Sequence, residues 1–311
     1  MRDLIWHGQS LCDTFCAQAS PFSFTAKGGR AISTNATNNS SNASNQFFSN
    51  IESRQKTQDS LLCIGLDPDP TRFPATFRNE KQPIFAFNKE IIDATIDLAC
   101  CYKPQIAHYA ARGAESELEQ TISYLRDLNV PVILDAKRGD IGSTAVQYAI
   151  EAFERYGADA VTANPYLGFD SFEPFLAYKE KGIFLLCRTS NPGGADLQNL
   201  ILESGKQLFE HVAEKAANEW DINNNIALVT GATRPDELKR IRELTGNMTF
   251  LLPGIGSQGG DVEASVKAGK GGGLIVSSSR AVLYASSGTD FAEAAHKVAL
   301  QTRDEINLHR C

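Results

Sequence analysis

A carboxylate, an amine and a second carboxylate, Asp135, Lys137 and Asp140, lie close together in one stretch of the chain. The apolar run at residues 130–134 precedes them, and its length and β-branched content predict a buried strand. Side chains alternate along a strand, so Asp135 and Lys137 are predicted to share one face, with Asp140 in the following turn. Such closely packed charges are costly unless they pair with one another or with a ligand. The stretch predicts either a salt-bridge cluster that closes the end of the strand or a charged site that pairs with a ligand.

A regular alternation of strands and helices surrounds this stretch and must position it. The eight predicted strands lie at residues 61–66, 99–103, 130–134, 159–163, 182–187, 226–229, 249–252 and 274–277. Predicted helices lie at residues 83–99, 114–128, 171–181, 205–220, 235–245, 261–268 and 290–307. One more helix is predicted to begin near Ser143, whose side chain can cap it. Helices between successive strands favour a parallel sheet.

Eight such units in about 265 residues match a TIM barrel in number and size. The predicted fold class is therefore α/β, a (β/α)8 TIM barrel with a disordered N-terminal extension. A doubly wound open sheet is the alternative, but no G-x-G-x-x-G follows the first strand.

The N-terminal part of the chain differs from the rest in composition. Residues 33–50 are dominated by Asn, Ser and Thr and show no apolar periodicity, which predicts disorder. We therefore expect a poorly ordered extension at residues 1–45 and a barrel domain at residues 46–311. A tail without function is favoured over a targeting segment or an over-long start.

Overall composition excludes several classes of function. A net charge of -7 and a pI near 5.4 provide no basic field for nucleic acid. The sequence contains no apolar run approaching the length of a membrane span, about 18 residues. The seven cysteines show no paired C-x-x-C spacing, so neither a zinc site nor a disulfide framework is indicated. These features predict a cytoplasmic protein with neither a nucleic-acid nor a membrane partner.

The loops after the last two strands predict a phosphate site. In a barrel of this kind the loops that follow the strands carry the chemistry, and those after strands seven and eight commonly cradle phosphate. The glycine-rich stretch at residues 254–261 leads into a helix, and its backbone N–H groups can converge on an anion. Ser279 and Arg280 end the eighth strand, where an arginine can grip phosphate with two hydrogen bonds.

Together these motifs resemble the orotidine 5′-phosphate decarboxylase family, in the bacterial group whose lysine motif reads D-A-K-R-G-D-I-G-S-T. The stretches that carry the resemblance are residues 62–69, 102–104, 135–144, 188–193, 229–233, 252–261 and 278–280. The resemblance runs from Phe47 to the C-terminus, although the run at residues 270–273 departs from the expected pattern. It implies decarboxylation of orotidine 5′-monophosphate to uridine 5′-monophosphate and CO2, the last step of de novo UMP biosynthesis.

The resemblance also implies a catalytic role for four charged residues. Lys137 would deliver a proton to the ring carbon that loses CO2, and its charge would stabilise the developing carbanion. Asp135 would hold Lys137 and crowd the substrate carboxylate, while Lys103 would anchor the charged network and bind the ribose hydroxyls. Asp140, together with Thr144, would reach the site of the neighbouring subunit, which implies a homodimer.

Substrate binding is implied for a second group of residues. Asp67, like Lys103, would bind the ribose hydroxyls, and Ser190 would contact the pyrimidine ring. Gln258 and Arg280 would bind the phosphate, and Ser279 is expected to line the same end of the site. Phosphate lies far from the reacting bond, so its binding energy can serve to orient the base.

Chemistry agrees with a site that uses no cofactor and no metal. Loss of CO2 from an sp2 ring carbon leaves a carbanion without a π system, and the usual remedy is an electron-sink cofactor. A fixed lysine between carboxylates instead supplies positive charge where the carbanion forms. One alternative is a Mg²⁺-dependent sugar-phosphate decarboxylase or aldolase of the same superfamily, but Lys103 would repel the metal. A barrel that only binds nucleotides is the second alternative.

Overall fold

The computed structural model describes residues 45–254 and 261–310, and it confirms a (β/α)8 barrel. Its parallel strands are β1 Leu62–Leu66, β2 Cys101–Pro104, β3 Ile133–Arg138, β4 Ala160–Ala163, β5 Gly182–Arg188, β6 Ile226–Thr230, β7 Phe250–Pro253 and β8 Leu274–Ser278. The strand order β2-β1-β8-β7-β6-β5-β4-β3 places every strand beside its neighbours in sequence. Isolated parallel bridges, Tyr102 to Val132 and Gln105 to Asp135, join β2 to β3 and complete the ring.

Helices connect the strands and cover the outside of the barrel. The α-helices are α1 Gln46–Thr57, α2 Pro83–Thr95, α3 Ile106–Ala110, α4 Glu115–Asp127, α5 Gly142–Ile150, α6 Glu173–Leu176, α7 Ala195–Gln198, α8 Leu208–Lys215, α9 Pro235–Thr245, α10 Val262–Ala268, α11 Arg280–Leu283 and α12 Phe291–His309. Single π-helical turns, Glu151–Arg155 and Ala216–Trp220, extend α5 and α8. Short 3-10 turns lie at Pro70–Arg72, Ala75–Asn79, Pro165–Leu167, Phe169–Ser171 and Pro192–Gly194. No described helix is both long and apolar enough to cross a bilayer.

Two predictions about the helices are wrong. The helix expected at residues 171–181 is the four-residue α6. It starts late because Ser171 belongs to a 3-10 turn and Pro174 lacks an N–H group to extend the helix backwards, and it ends at Leu176, before the predicted end. Ser143 does not cap α5. That helix begins at Gly142, whose φ of +55° makes the turn, and its N-cap residue Ile141 offers no side-chain hydrogen bond.

Helix α1 closes the N-terminal end of the barrel. Phe47 and Ile51 on α1 are each 2% exposed and join the apolar side chains inside the barrel. The Phe47 ring meets the Phe184 ring edge to face, with 5.9 Å between centroids. A Cβ atom on Gly182 would lie 2.5 Å from Cδ1 of Phe47, so this close approach requires glycine. Asn45, assigned to the extension by the sequence prediction, caps α1 by accepting a hydrogen bond from Phe47 N.

The rest of the predicted extension, residues 1–44, lies outside the described residues.

A larger apolar layer packs the outer face of the strands against the helices, with Phe87, Tyr109, Phe172 and Phe209 among its bulky members. The described cysteines, Cys63, Cys100, Cys101 and Cys187, are buried free thiols.

Candidate active site

Three neighbouring strands deliver the charged side chains to one end of the barrel. Lys103 lies on β2, Asp135 and Lys137 lie on β3, and Asp67 directly follows β1. The Lys103 Nζ atom lies 3.0 Å from Asp135 Oδ2, and the Lys137 Nζ atom lies 2.5 Å from Asp135 Oδ1. The Asp135 carboxylate therefore bridges two amines, one from each strand.

The backbone of Lys137 is not that of a regular strand. Its φ is +48°, in the left-handed region that a lysine rarely adopts. The pairing of β3 with β4 also shifts register between Leu134 and Arg138. The predicted proximity of Lys137 to Asp135 is therefore found, but regular strand alternation, the predicted cause, is wrong. The two side chains meet because an irregular, bulge-like segment re-aims the lysine, as such segments often do beside active sites.

Thr162 on β4 contributes to this arrangement and was not predicted. Its hydroxyl donates to Asp135 Oδ1 at 2.9 Å and accepts hydrogen bonds from the backbone N–H groups of Ala136 and Lys137. The available signal was a polar residue inside the apolar run of β4, Ala160–Ala163.

Burial and charge pairing compete in setting the ionisation of this cluster. Burial alone raises the pKa of the Asp135 carboxyl, but the amines of Lys103 and Lys137 outweigh it and hold that pKa well below its usual range. Burial alone lowers the pKa of Lys103, while the attraction of Asp135 and Asp67 raises it above the usual value for lysine. Asp135 and Lys103 are therefore both charged at neutral pH.

Asp67 lies at the edge of the charged cluster, and one of its two carboxylate oxygens accepts a hydrogen bond. Its Oδ2 atom accepts a hydrogen bond of 2.6 Å from the Ser279 hydroxyl. Its Oδ1 atom is buried and finds no hydrogen-bond donor among residues 45–254 and 261–310. Tyr284 supports the backbone here by donating to Asp67 O at 3.0 Å and accepting from Asp69 N at 2.6 Å. Asp67 is thus fixed in place with one oxygen available to a ligand hydroxyl.

These side chains open onto a cavity of about 430 Å³ at the carboxyl ends of the strands. The charged cluster forms one side, and apolar side chains of β5, β6 and β7 form another, namely Leu186, Val229 and Leu251. Polar groups complete the lining, among them Gln105, Thr189, Ser190, Asn191, Ser279 and Arg280. The volume falls within the range of about 300–1,000 Å³ that is usual for small-molecule sites.

The predicted site residues divide into three groups by position. The structure brings Asp67, Lys103, Asp135, Lys137, Ser190, Ser279 and Arg280 together around the cavity. It does not bring Asp140 or Thr144 to the cavity of the same chain. Asp140 is half-buried and accepts a hydrogen bond from Ile141 N at 2.8 Å, while Thr144 is exposed on α5. Gln258 lies outside the described residues.

The charged residues of the cavity are poorly arranged to hold a metal ion. Both oxygens of Asp135 already face amines. Within residues 45–254 and 261–310, no three His, Cys, Asp or Glu side chains are grouped so that they could hold a metal ion. The residues that the sequence prediction missed are the apolar lining and Thr162, which carry no motif of their own.

Comparison with known proteins gives consistent matches across the barrel. The curated orotidine 5′-phosphate decarboxylase of Cellvibrio japonicus is 59% identical over 271 residues, covering 85% of this chain and 99% of that protein. The enzyme of the same name from Aromatoleum aromaticum is 57% identical over 269 residues, with the same coverage. Among solved structures, the OMP decarboxylase of Leishmania donovani aligns with a TM-score of 0.74 at 38% identity, covering 85% of this chain and 98% of that one.

A structure of Leishmania donovani UMP synthase aligns with the same TM-score at 39% identity, but the match covers only 57% of that longer chain. The profile of the Orotidine 5′-phosphate decarboxylase / HUMPS family matches residues 60–297, which include all the described residues that line the cavity. On this match and on the similarity to the curated relatives, the chain belongs to the orotidine 5′-phosphate decarboxylase / HUMPS family.

Proposed function

We propose that this protein decarboxylates orotidine 5′-monophosphate to uridine 5′-monophosphate and CO2, the last step of de novo UMP biosynthesis, without a cofactor. The observation that carries the proposal is the Asp135 carboxylate bridging Lys103 and Lys137 at the wall of a cavity that also reaches Arg280. Curated relatives at 57–59% identity that bear the decarboxylase name support the same activity.

Lys137 is the proposed proton donor. Its side chain is 44% exposed, and it lines the cavity, so its ammonium group can reach a bound ligand while one N–H contacts Asp135. As the bond to CO2 breaks, its electron pair stays on the ring carbon, and the proton of Lys137 moves to that carbon. The neutral amine then takes a proton from solvent. Until then the ammonium charge stabilises the forming carbanion.

The remaining cavity residues are proposed to hold the rest of the nucleotide. Arg280 would bind the phosphate together with Gln258, and Ser279 lies beside it. The buried Oδ1 atom of Asp67 and the amine of Lys103 would take the ribose hydroxyls. Ser190 would contact the pyrimidine ring. A ring between these groups would also rest against the apolar side chains of β5 to β7.

A direct test measures the loss of orotidine 5′-monophosphate by absorbance for the wild type and for Lys137→Ala. We expect Lys137→Ala to abolish turnover while binding of the product, measured by calorimetry, stays largely intact. By microscopic reversibility the same amine exchanges hydrogen at the product ring carbon, so the wild type should incorporate deuterium there in D2O, and Lys137→Ala should not. A Lys137→Ala variant with near-normal turnover would end the assignment. Activity lost on adding a chelator would instead favour the Mg²⁺-dependent alternative.

A homodimer is proposed because exposed apolar residues lie next to Asp140 in sequence and on the same helix as Thr144, the two residues predicted to act on a neighbouring site. Ile141 is 57% exposed and lies next to Asp140, and Val146 is 43% exposed on the same helix as Thr144. Tyr166 and Leu167, 73% and 46% exposed, follow β4 at the same end of the barrel. Exposed apolar patches of this kind mark protein contacts.

Mixing two inactive variants tests this dimer directly. Lys137→Ala and Asp140→Asn are each expected to be inactive alone. If Asp140 serves the partner's site, refolding an equal mixture restores roughly a quarter of the activity, because half of the dimers are mixed and one of their two sites is intact. If Asp140 serves its own site, the mixture stays inactive.

We propose that the barrel domain, residues 46–311, is the catalytic domain, and that Asn45, which caps α1, belongs to this domain structurally. We also propose that the protein acts in the cytoplasm. The buried free thiols of Cys63, Cys100, Cys101 and Cys187 support a reducing compartment. Labelled protein found in the oxidising periplasm after cell fractionation would contradict this location.

A further inference from the structure

We propose that Thr162 is a positioning residue for Lys137, and this rests on the proton-donor role proposed above. Thr162 is 1% exposed on β4. Its hydroxyl donates to Asp135 Oδ1 at 2.9 Å and accepts from Ala136 N at 3.0 Å and from Lys137 N at 2.9 Å. A hydroxyl has one donor and two acceptor positions, so these bonds use all of them. One side chain therefore fixes both the carboxylate that holds the amine and the backbone from which the amine extends.

The register of the two strands shows why such a residue is needed. Leu134 pairs with Val161, and the next pairing joins Arg138 to Ala163. Four steps along β3 (138 − 134) therefore face two steps along β4 (163 − 161), which leaves two extra residues on β3. Extra residues in a bulge lose their ladder partners. Thr162 lies between the paired residues of β4. Its hydroxyl accepts hydrogen bonds from the N–H groups of the bulged segment, those of Ala136 and Lys137.

This support also bears on the strain of Lys137. A left-handed conformation is strained for a non-glycine residue, so it persists only where the surroundings hold it. The hydrogen bond from Lys137 N to Thr162 holds the strained residue directly. The contact of Thr162 with Asp135 then ties that backbone to the acceptor of the Lys137 ammonium. Without the hydroxyl, the segment can relax toward a regular strand and carry the amine away from the reacting carbon.

The test compares Thr162→Val, which keeps the shape but removes the hydroxyl, with Thr162→Ser, which keeps the hydroxyl. For Thr162→Val we expect kcat to fall about 100-fold with KM within about 3-fold of the wild type, because a displacement near 1 Å of a reacting group costs about that factor. Deuterium incorporation into the product should fall by the same factor. Thr162→Ser should recover kcat to within about 5-fold of the wild type.

Thr121 on α4 provides a matched control. It is also fully buried, and its hydroxyl also donates one hydrogen bond, here to the backbone carbonyl Glu117 O, and accepts one from a neighbour, Asn88 Nδ2. Thr121→Val should therefore lower the melting temperature about as much as Thr162→Val while leaving kcat unchanged. Should Thr162→Val fail to fold, Thr162→Ala is judged by the same criteria.

Each outcome separates this inference from the proposed function. If Lys137→Ala is inactive but Thr162→Val keeps kcat within about 3-fold of the wild type, the positioning role is wrong and the proton donor stands. The positioning role is equally wrong if Thr162→Ser fails to restore kcat, or if Thr121→Val loses as much kcat as Thr162→Val. If Lys137→Ala turns over substrate at a near-normal rate, the proton-donor role fails, and the positioning role that rests on it fails as well.

Discussion

Replacing Lys103 by methionine removes one amine from the charged cluster while nearly preserving side-chain volume. Lys103 is 6% exposed, and its Nζ atom lies 3.0 Å from Oδ2 of Asp135, which is 7% exposed. The substitution leaves a buried carboxylate oxygen without its cation. Breaking one side of a buried pair typically costs about 3–5 kcal/mol. Because Lys137 still contacts the other oxygen of Asp135, we expect the lower end, a loss of about 3 kcal/mol in unfolding free energy at pH 7.

The pH dependence of this loss follows from the directions of the two pKa shifts. The pKa of Lys103 is raised in the folded protein, so its contribution is fully present below the unfolded value of about 10.4 and disappears as pH rises through the folded value. The pKa of Asp135 is lowered, so its contribution is present above the unfolded value of about 3.9 and disappears as pH falls toward the folded value. The stability difference between wild type and Lys103→Met should therefore be flat from about pH 5 to 9 and shrink below about pH 4.

Urea denaturation followed by circular dichroism, at several pH values from 3.5 to 9 (roughly the window set by these groups), measures the difference. Lys89→Met is the matched control, since Lys89 forms an exposed helical pair with Asp93, at 43% and 41% exposure, and should change the unfolding free energy by less than about 0.5 kcal/mol. A Lys103→Met variant as stable as the wild type at pH 7 would refute the reasoning. So would a stability difference that stays constant down to pH 3.5, about where the carboxyl titrates in the unfolded chain.

Three further predictions concern other parts of the barrel. Arg280→Ala should weaken binding of uridine 5′-monophosphate far more than binding of uridine, and equal losses by titration calorimetry would refute its phosphate role. Phe47→Ala should lower the unfolding free energy, measured by urea denaturation, by about 3–4 kcal/mol while kcat stays unchanged, since the ring fills the barrel end remote from the cavity. A loss below about 1 kcal/mol would contradict this packing role of Phe47. Gly65→Ala would place a Cβ atom 2.7 Å from Cβ of Ser279, so it should displace Ser279, break its hydrogen bond to Asp67 and raise KM. An unchanged KM would contradict this role of Ser279.

Much of the fold could be predicted because its signals are local. Most strands of the barrel are short apolar runs, and each predicted strand ends close to where the structure ends it. The exception is β3, which continues through Lys137 to Arg138. The proximity of Lys103 to Asp135 could also be anticipated, since the carboxyl ends of adjacent parallel strands meet on one rim.

The parts that could not be predicted depend on contacts between distant residues. The left-handed backbone of Lys137 donates a hydrogen bond to Thr162, a residue on another strand, and nothing near Lys137 in sequence shows this contact. The short α6 depends on how the chain turns at residues 169–171, where the helical pattern of side chains continues but the backbone does not. Apolar cavity residues such as Leu186 look like core residues in sequence, because a wall of a cavity and the interior of a protein favour the same side chains.

The rigidity of Asp135 is what connects this structure to catalysis. One oxygen of its carboxylate accepts hydrogen bonds from Lys137 and Thr162, and the other accepts one from Lys103. A carboxylate held by three donors cannot swing away when a negatively charged substrate approaches. In the reaction proposed above, the amine of Lys137 is thus in place before the carbanion forms, and no reorganisation is needed at the moment of reaction. Such preorganisation would let one lysine supply the positive charge that other decarboxylases take from a cofactor, because the charge is fixed where negative charge would develop.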